Sequence, residues 1–299
     1  MPAFDTPGPI VALIDVPAAD VRVDAGERAD TVVEIVPRDE HDEADVQLAR
    51  QIRVDCADGR LLVKGSAGAA ARPGGLSLDQ LIGSPASWVR SLLGSGGRVK
   101  VIVSLPAGSR VEGGSAASLR CRGRLGDVRF TTSDGDIRVE EAGRLRVKSS
   151  NGDISVGHAT GHSDLTTTHG SITVGELDGT AAVKTAHGEV TLGRVSGELR
   201  ISSAHGDVRV DHALAGVVAK TAYGSLSVGE IVSGTFVMET AGGGLELGIH
   251  DGTTAWLDVS SQYGTVDVSL DAADGAAPGA LTAEVRAHTA YGDIAIHRS

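Results

Sequence analysis

Three histidines at one phase of a repeat, His169, His187 and His205, are the residues best placed to hold a divalent metal, because the repeat would bring three imidazoles into line. Imidazole binds zinc with bonds of ~2.0–2.1 Å. Neighbouring strands lie ~4.8 Å apart, more than the ligands of one ion span comfortably without tilting. The competing expectation is a ladder of stacked turn residues. A second line, Asp136, Asp153, Glu189, Asp207 and Asp293, is interrupted by Ser171, Ser225, Gly244 and Thr265. Carboxylates at that phase suit either calcium or the backbone N–H groups of turns. The Gly-Gly-x-Gly-x-Asp nonapeptides of calcium-binding β-rolls are missing from the sequence. So are the nucleophile elbow GxSxG, the Walker loop, the Rossmann glycine fingerprint, the zincin HExxH and paired CxxC motifs. No catalytic residue and no cofactor is expected.

The elements that would position these lines are set by glycine. Gly135, Gly152, Gly170, Gly188, Gly206, Gly224, Gly243, Gly264 and Gly292 form a column that returns about every 18 residues, with wider intervals at the end. A short alternating strand follows each one, as in Glu189-Val190-Thr191-Leu192, with one apolar face. About nine residues on, a second strand follows, as in Leu199 to Ile201. Each repeat therefore supplies two strands and two turns, enough for one coil of a β-solenoid, with Val190, Leu192, Leu199 and Ile201 pointing inward. A flat meander of hairpins is the alternative, but hairpins need no strict repeat. Asp134-Gly135 and Asn151-Gly152 have the composition of type I′ turns.

The fold expected is all-β, a β-solenoid with about 18 residues per coil over 98–299, preceded by a β-rich cap over 1–65. Strands are predicted at Ile10–Val16, Val21–Asp24, Thr31–Val36, Ala49–Cys56 and Leu61–Lys64, with a charged, solvated loop at Arg38–Asp45. Residues 66–97 form an expected flexible insertion. It holds two short amphipathic helices over 77–93, and Trp88, Val89, Leu92 and Leu93 make an apolar face that either docks on the solenoid or reaches a partner or membrane surface. The last strand carries Ile294 and Ile296. Its edge is expected to be open, giving self-association there unless the loop 271–280 covers it.

Composition narrows the partners. With 41% hydrophobic residues but only 3% aromatic, the core must be Val, Ile, Leu and Ala, which suits stacked strands better than a hollow pocket, so no small-molecule ligand is expected. A net charge of −12 argues against a sequence-independent grip on nucleic acid. Cys56 and Cys121 are far apart, and free thiols are the expectation. The N-terminal residues lack a basic and apolar leader, and a soluble cytoplasmic protein is expected. The remaining partner class is protein, another kind or a second copy.

The Ser/Thr-x-x-Gly-Asp-Ile/Val-x-Val-Gly pattern, as in Thr185-Ala186-His187-Gly188-Glu189-Val190-Thr191-Leu192-Gly193, resembles a bacterial β-strand-repeat family named for adhesins, domain-of-unknown-function family 4097. Phe4-Asp5-Thr6-Pro7, Asp20-Val21-Arg22-Val23 and Asp30-Thr31-Val32-Val33 are similar to actinobacterial members. The resemblance implies a β-helical fold and no established catalytic residues, hence a non-catalytic scaffold or interaction surface. A weaker similarity is to bactofilins, which would imply a cytoskeletal polymer. Polysaccharide-acting β-helix enzymes usually have longer coils and a carboxylate cluster on one face, and this pattern departs from both.

Overall fold

The computed structural model describes residues 2–65, 98–271 and 281–299, and these are almost entirely strand with one helix. The first strands are β1 (Ala3–Asp5), β2 (Val11–Asp15), β3 (Ala19–Gly26) and β4 (Asp30–Pro37). Helix α1 (Glu43–Gln51) follows, then β5 (Arg53–Ala57), β6 (Arg60–Lys64), β7 (Val99–Pro106) and β8 (Arg110–Gly114). Two long strands, β9 (Ser118–Asp134) and β10 (Ile137–Asn151), each run through a whole coil. Paired short strands come next: β11 (Ile154–Ala159) with β12 (Ser163–Thr166), β13 (Ile172–Leu177) with β14 (Ala181–Lys184), and β15 (Val190–Val195) with β16 (Leu199–Ser202). They continue with β17 (Val208–Ala213) and β18 (Val217–Tyr223), β19 (Leu226–Ile231) and β20 (Gly234–Gly242), then β21 (Leu245–Ile249). The last are β22 (Thr253–Tyr263), β23 (Val266–Ser269), β24 (Leu281–Tyr291) and β25 (Ile294–Arg298).

This is the β-solenoid expected from the repeat. From β10 onward each coil lays one strand on each of two faces, all parallel, and like positions sit on one another: Ile154, Ile172, Val190 and Val208 are consecutive partners. Alternation fixes this register, because a slip of one residue would turn every inward side chain outward. Val190, Leu192 and Ile201 are fully buried and Leu199 nearly so. Each such aliphatic side chain contributes about 1.5–3 kcal/mol by leaving water. Phe130 and Phe236 are the largest fully buried side chains, consistent with a core thin enough for aliphatic packing.

The column glycines have a different conformation from the expected turn. From Gly135 to Gly243, and again at Gly292, their φ values lie between 132° and 152°, and neither Asp134 nor Asn151 has positive φ, so these corners are not type I′ turns. What they need is room: a Cβ on Gly188 would run into the carbonyl oxygen of Gly170 in the coil before it. The turn with the I′ signature is Asp58-Gly59, at φ 50° and 70°, which joins β5 to β6.

Two further expectations are corrected at the N-terminal end. Residues Glu43–Gln51 are helical, which shortens the strand predicted over Ala49–Cys56 to Arg53–Ala57. Asp42 caps the helix by accepting the Ala44 N–H, and acidic Glu43 and Asp45 suit its first turn. Asp45, expected in a solvated loop, is buried and accepts the backbone N–H groups of Asp39 and Arg98. The first strands are also not a lid laid over the first coil. β3 lies between β7 and β9, and β2 between β6 and β8, so they belong to the same two ladders; antiparallel β4 and β5 flank them outside.

At the other end the order of coils departs from the order of the chain. β24 pairs with both β20 and β22, and β25 with both β21 and β23. The last strands in sequence are thus inserted one coil inward, and the outermost coil is β22–β23. Ile294 and Ile296 are each 1% exposed, so they offer no partner surface. The open edge is therefore at β22–β23, one coil beyond the last strand of the chain where it was expected.

Candidate functional site

The corner before the column glycines carries a ladder of rings. Asn151, His169, His187, His205 and Tyr223 pair as parallel bridges, one per coil. His169, His187 and His205 stack with centroids 5.0 Å apart and planes within 4°, and Tyr223 follows at 5.3 Å, tilted by 19°. Imidazole lone pairs lie in the ring plane, so three parallel rings aim theirs along parallel lines rather than at one ion. Among the described residues no group of His, Cys, Asp and Glu has the arrangement of a metal site. Two coils on, Tyr291 and Tyr263 resume the stack at 4.9 Å, with Gly242 between the two runs.

The carboxylate line lies on the other side of the glycines and bonds to backbone. Asp153 accepts the N–H of Ser171, Asp207 that of Ser225 and Asp293 that of Thr265, each at 2.8 Å. Each of these acids therefore holds the amide of the adjoining coil, and three of the interruptions, Ser171, Ser225 and Thr265, are residues being capped. The hydrogen bonds from the Thr265 backbone and hydroxyl hold the Asp293 carboxyl below the usual range, against a smaller opposing effect of desolvation.

A third line was visible in the sequence as part of the repeat motif, but its role was not. Three residues before each column glycine stands Ser or Thr, buried under the corner except at Ser203 and Ser261, which are half-buried. Thr167 donates to the Gly152 carbonyl at 3.1 Å, Thr240 to Gly224 at 3.1 Å and Thr289 to Gly243 at 3.0 Å. Among the described residues the hydroxyls of Thr185 and Ser203 are the buried side-chain polar atoms without a partner. The Ser/Thr-x-x-Gly spacing was the available signal.

Charged clusters occur at two places on the outer surface. Glu230 receives His250 Nδ1 at 2.6 Å, His212 Nδ1 at 3.0 Å and the Ser299 hydroxyl at 3.2 Å. Hydrogen bonding to His250 and then His212 holds its carboxyl below the usual range, against the opposing effect of desolvation. In the first coils a groove of about 450 Å³ is lined by Arg110, Arg129, Arg144 and Arg146 with Glu112 and Asp127. Asp127 pairs with Arg110 at 2.8 Å, so this local basic patch is partly neutralised.

Both cysteines are free: Cys121 is buried and Cys56 half-buried. Desolvation, with a smaller contribution from Asp24, pushes the Cys121 thiol up to about 12, which makes it inert as a nucleophile. Trp88, Val89, Leu92 and Leu93 lie outside the described residues. No described helix is long and apolar enough to cross a membrane.

Among the described residues the outermost coil carries a cluster of exposed apolar side chains. Trp256 and Tyr263 are each 66% exposed, Val266 44% and Val268 42%, while Ile294 and Ile296, which pair with those valines, are buried. Val266 and Val268 occupy the inward register and are uncovered because no described strand lies beyond them. The widened glycine spacing around Gly264 hinted at an irregular end, but spacing does not reveal which coil is outermost.

Fold and surface together define a repeat-built β-solenoid whose outward columns serve coil-to-coil contact. The chain belongs to the Toastrack DUF4097 family, whose model matches residues 13–297. Solved structures similar to it include a candidate adhesin from Parabacteroides merdae, 14% identical, covering 82% of this chain and 94% of that one at a TM-score of 0.45. Another is a candidate cell-adhesion protein from Clostridium sporogenes, 10% identical, covering 100% of this chain and 98% of that one at a TM-score of 0.18. No curated protein matches the chain.

Proposed function

We propose that this protein is a non-catalytic scaffold that associates with a second copy of itself through the β22–β23 coil. The observation that carries this is the pair of one-sided strands there: β22 pairs only with β24 and β23 only with β25 among the described residues. An open strand edge beside exposed apolar side chains is a template for another chain. A single added strand would satisfy one face only. The surface that presents two strands at the matching separation and twist is the same coil of another copy, which gives a two-fold, self-complementary interface.

A head-to-tail polymer, the bactofilin-like alternative, would need an equally open opposite end. There β4 and β5 run antiparallel to their neighbours, helix α1 packs against β4 and β7, and β5 presents Arg53 and Asp55 outward. Such an end does not continue a parallel stack, so association closes at two copies. The adhesin names of the structural neighbours are compatible with a binding scaffold. Sedimentation of the full chain should show a dimer, and Val268→Lys should make it a monomer with unchanged circular dichroism. A wild-type monomer at high concentration would overturn the proposal. So would a dimer that survives Val268→Lys, while filaments in electron micrographs would favour the polymer.

A further inference from the structure

The ring ladder has a gap at Gly242. Counting along the stack, Tyr223, Gly242 and Tyr291 occupy one position in three consecutive coils, and only the middle one lacks a side chain. Tyr223 is 60% and Tyr291 62% exposed, and the two rings make no contact with each other. Two coil spacings of ~4.8 Å put their backbones roughly 10 Å apart. That leaves room for one ring between them. Tyr223 tilts away from the parallel stack and toward the space, its Cδ1 standing 3.2 Å from where a Gly242 Cβ would be.

The floor and edges of the gap are equally distinctive. Gly243 and Gly244 follow Gly242, so this corner is bare backbone. Ala222, Ala241 and Ala290 form an apolar shelf on one side. On the other side is Ser225, next after Gly224. The Asp293 carboxylate turns the other way, to Thr265 in the coil beyond Tyr291. In some other coils a carboxylate from the coil before caps the amide at the Asp293 position, as Asp153 does for Ser171 and Asp207 for Ser225. Gly244 cannot do this for Asp293, so an uncapped N–H faces the gap.

We infer that the gap between Tyr223 and Tyr291 binds a pyranose ring of an oligosaccharide. A pyranose presents C–H faces that pack against aromatic rings above and below, and its hydroxyls both donate and accept at the edge. The Asp293 N–H donates to one hydroxyl, and the Ser225 hydroxyl accepts from another. A flat aromatic guest would fill the space but leave those edge groups unpaired, and it is thinner than the gap. The site is distinct from the β22–β23 edge and needs no second copy.

The test uses the full chain with maltohexaose, cellohexaose and chitohexaose as probes and adenosine as the flat aromatic control, read by saturation-transfer NMR. At least one hexasaccharide should receive saturation on its ring protons. Gly242→Tyr, which restores a ring where neighbouring coils have one and where φ is ordinary, should abolish the signal without lowering the melting temperature. Tyr291→Ala should weaken binding at least tenfold, and Trp256→Ala should leave it unchanged. Binding by none of the three sugars would overturn the inference, as would full binding by Gly242→Tyr or binding by adenosine alone. Sedimentation of Gly242→Tyr keeps the two proposals separate, because its dimer should be intact.

Discussion

Glycine acts in two separable ways in this solenoid, and four alanine substitutions distinguish them. At Gly26 the backbone is ordinary and nothing lies within 4 Å of a built Cβ. Alanine there should stabilise by about 0.4–1 kcal/mol through the unfolded chain. Gly252 has φ 89° with open space around it, so alanine meets strain alone, about 1–2 kcal/mol. Gly175 has no positive φ, but its Cβ would stand 2.6 Å from the Gly157 carbonyl oxygen, a backbone clash that overpacking data place at about 1–3 kcal/mol. Gly188 combines φ 143° with a clash against the Gly170 carbonyl, and the two costs should add to about 2–5 kcal/mol. Urea melts of the four full-length variants measure this, provided the slope is unchanged. If Gly188→Ala melts with Gly26→Ala, or if Gly175→Ala costs nothing, close coil approach is not what selects glycine and the reasoning fails.

Three further outcomes are expected. Thr185→Val removes a buried hydroxyl without a partner and should be neutral or stabilising, whereas Thr240→Val loses the bond to Gly224 and should cost about 1 kcal/mol in the same melts. The Glu230 carboxyl is depressed in the folded state below 4.5, so its contribution is present above that pH and is lost as pH falls through the lower folded value; Glu230→Gln should flatten that acid limb of a melting-temperature profile. A thiol reagent at neutral pH should label native Cys56 and leave Cys121 unreacted until the chain unfolds, because burial keeps Cys121 protonated up to about pH 12.

The repeat was legible because it is written twice, in glycine spacing and in alternation. Val190, Leu192, Leu199 and Ile201 could be placed inward on those grounds alone. Turn geometry was less legible, since Asp-Gly composition indicates a corner but not which backbone region the glycine occupies. Helix α1 was hidden by an unremarkable acidic run whose decisive feature is tertiary, the reach of Asp45 to the amide of Arg98. The candidate surfaces were the least legible. Self-alignment shows that Tyr263-Gly264 and Tyr291-Gly292 are equivalent, but equivalent coils can stack in either order. Exposure of Trp256, Val266 and Val268 follows from that order, as does burial of Ile294 and Ile296.

The inverted order also constrains how the end can form. β22 and β23 have no strand partners except β24 and β25 among the described residues, so they cannot join the ladder until the later strands have docked on β20 and β21. In a stack stabilised by neighbour contacts, the outermost coil opens first and closes last. The dependence runs one way. Ile296→Lys puts a charge between Leu247 and Val268, and should abolish amide-exchange protection in both β24–β25 and β22–β23 while β11 to β18 stay protected. Val268→Lys, at a position already 42% exposed, should leave β24–β25 protected and β22–β23 folded. If β22–β23 kept its protection in Ile296→Lys, some other segment would have to hold it, and the edge assigned to self-association would already be occupied.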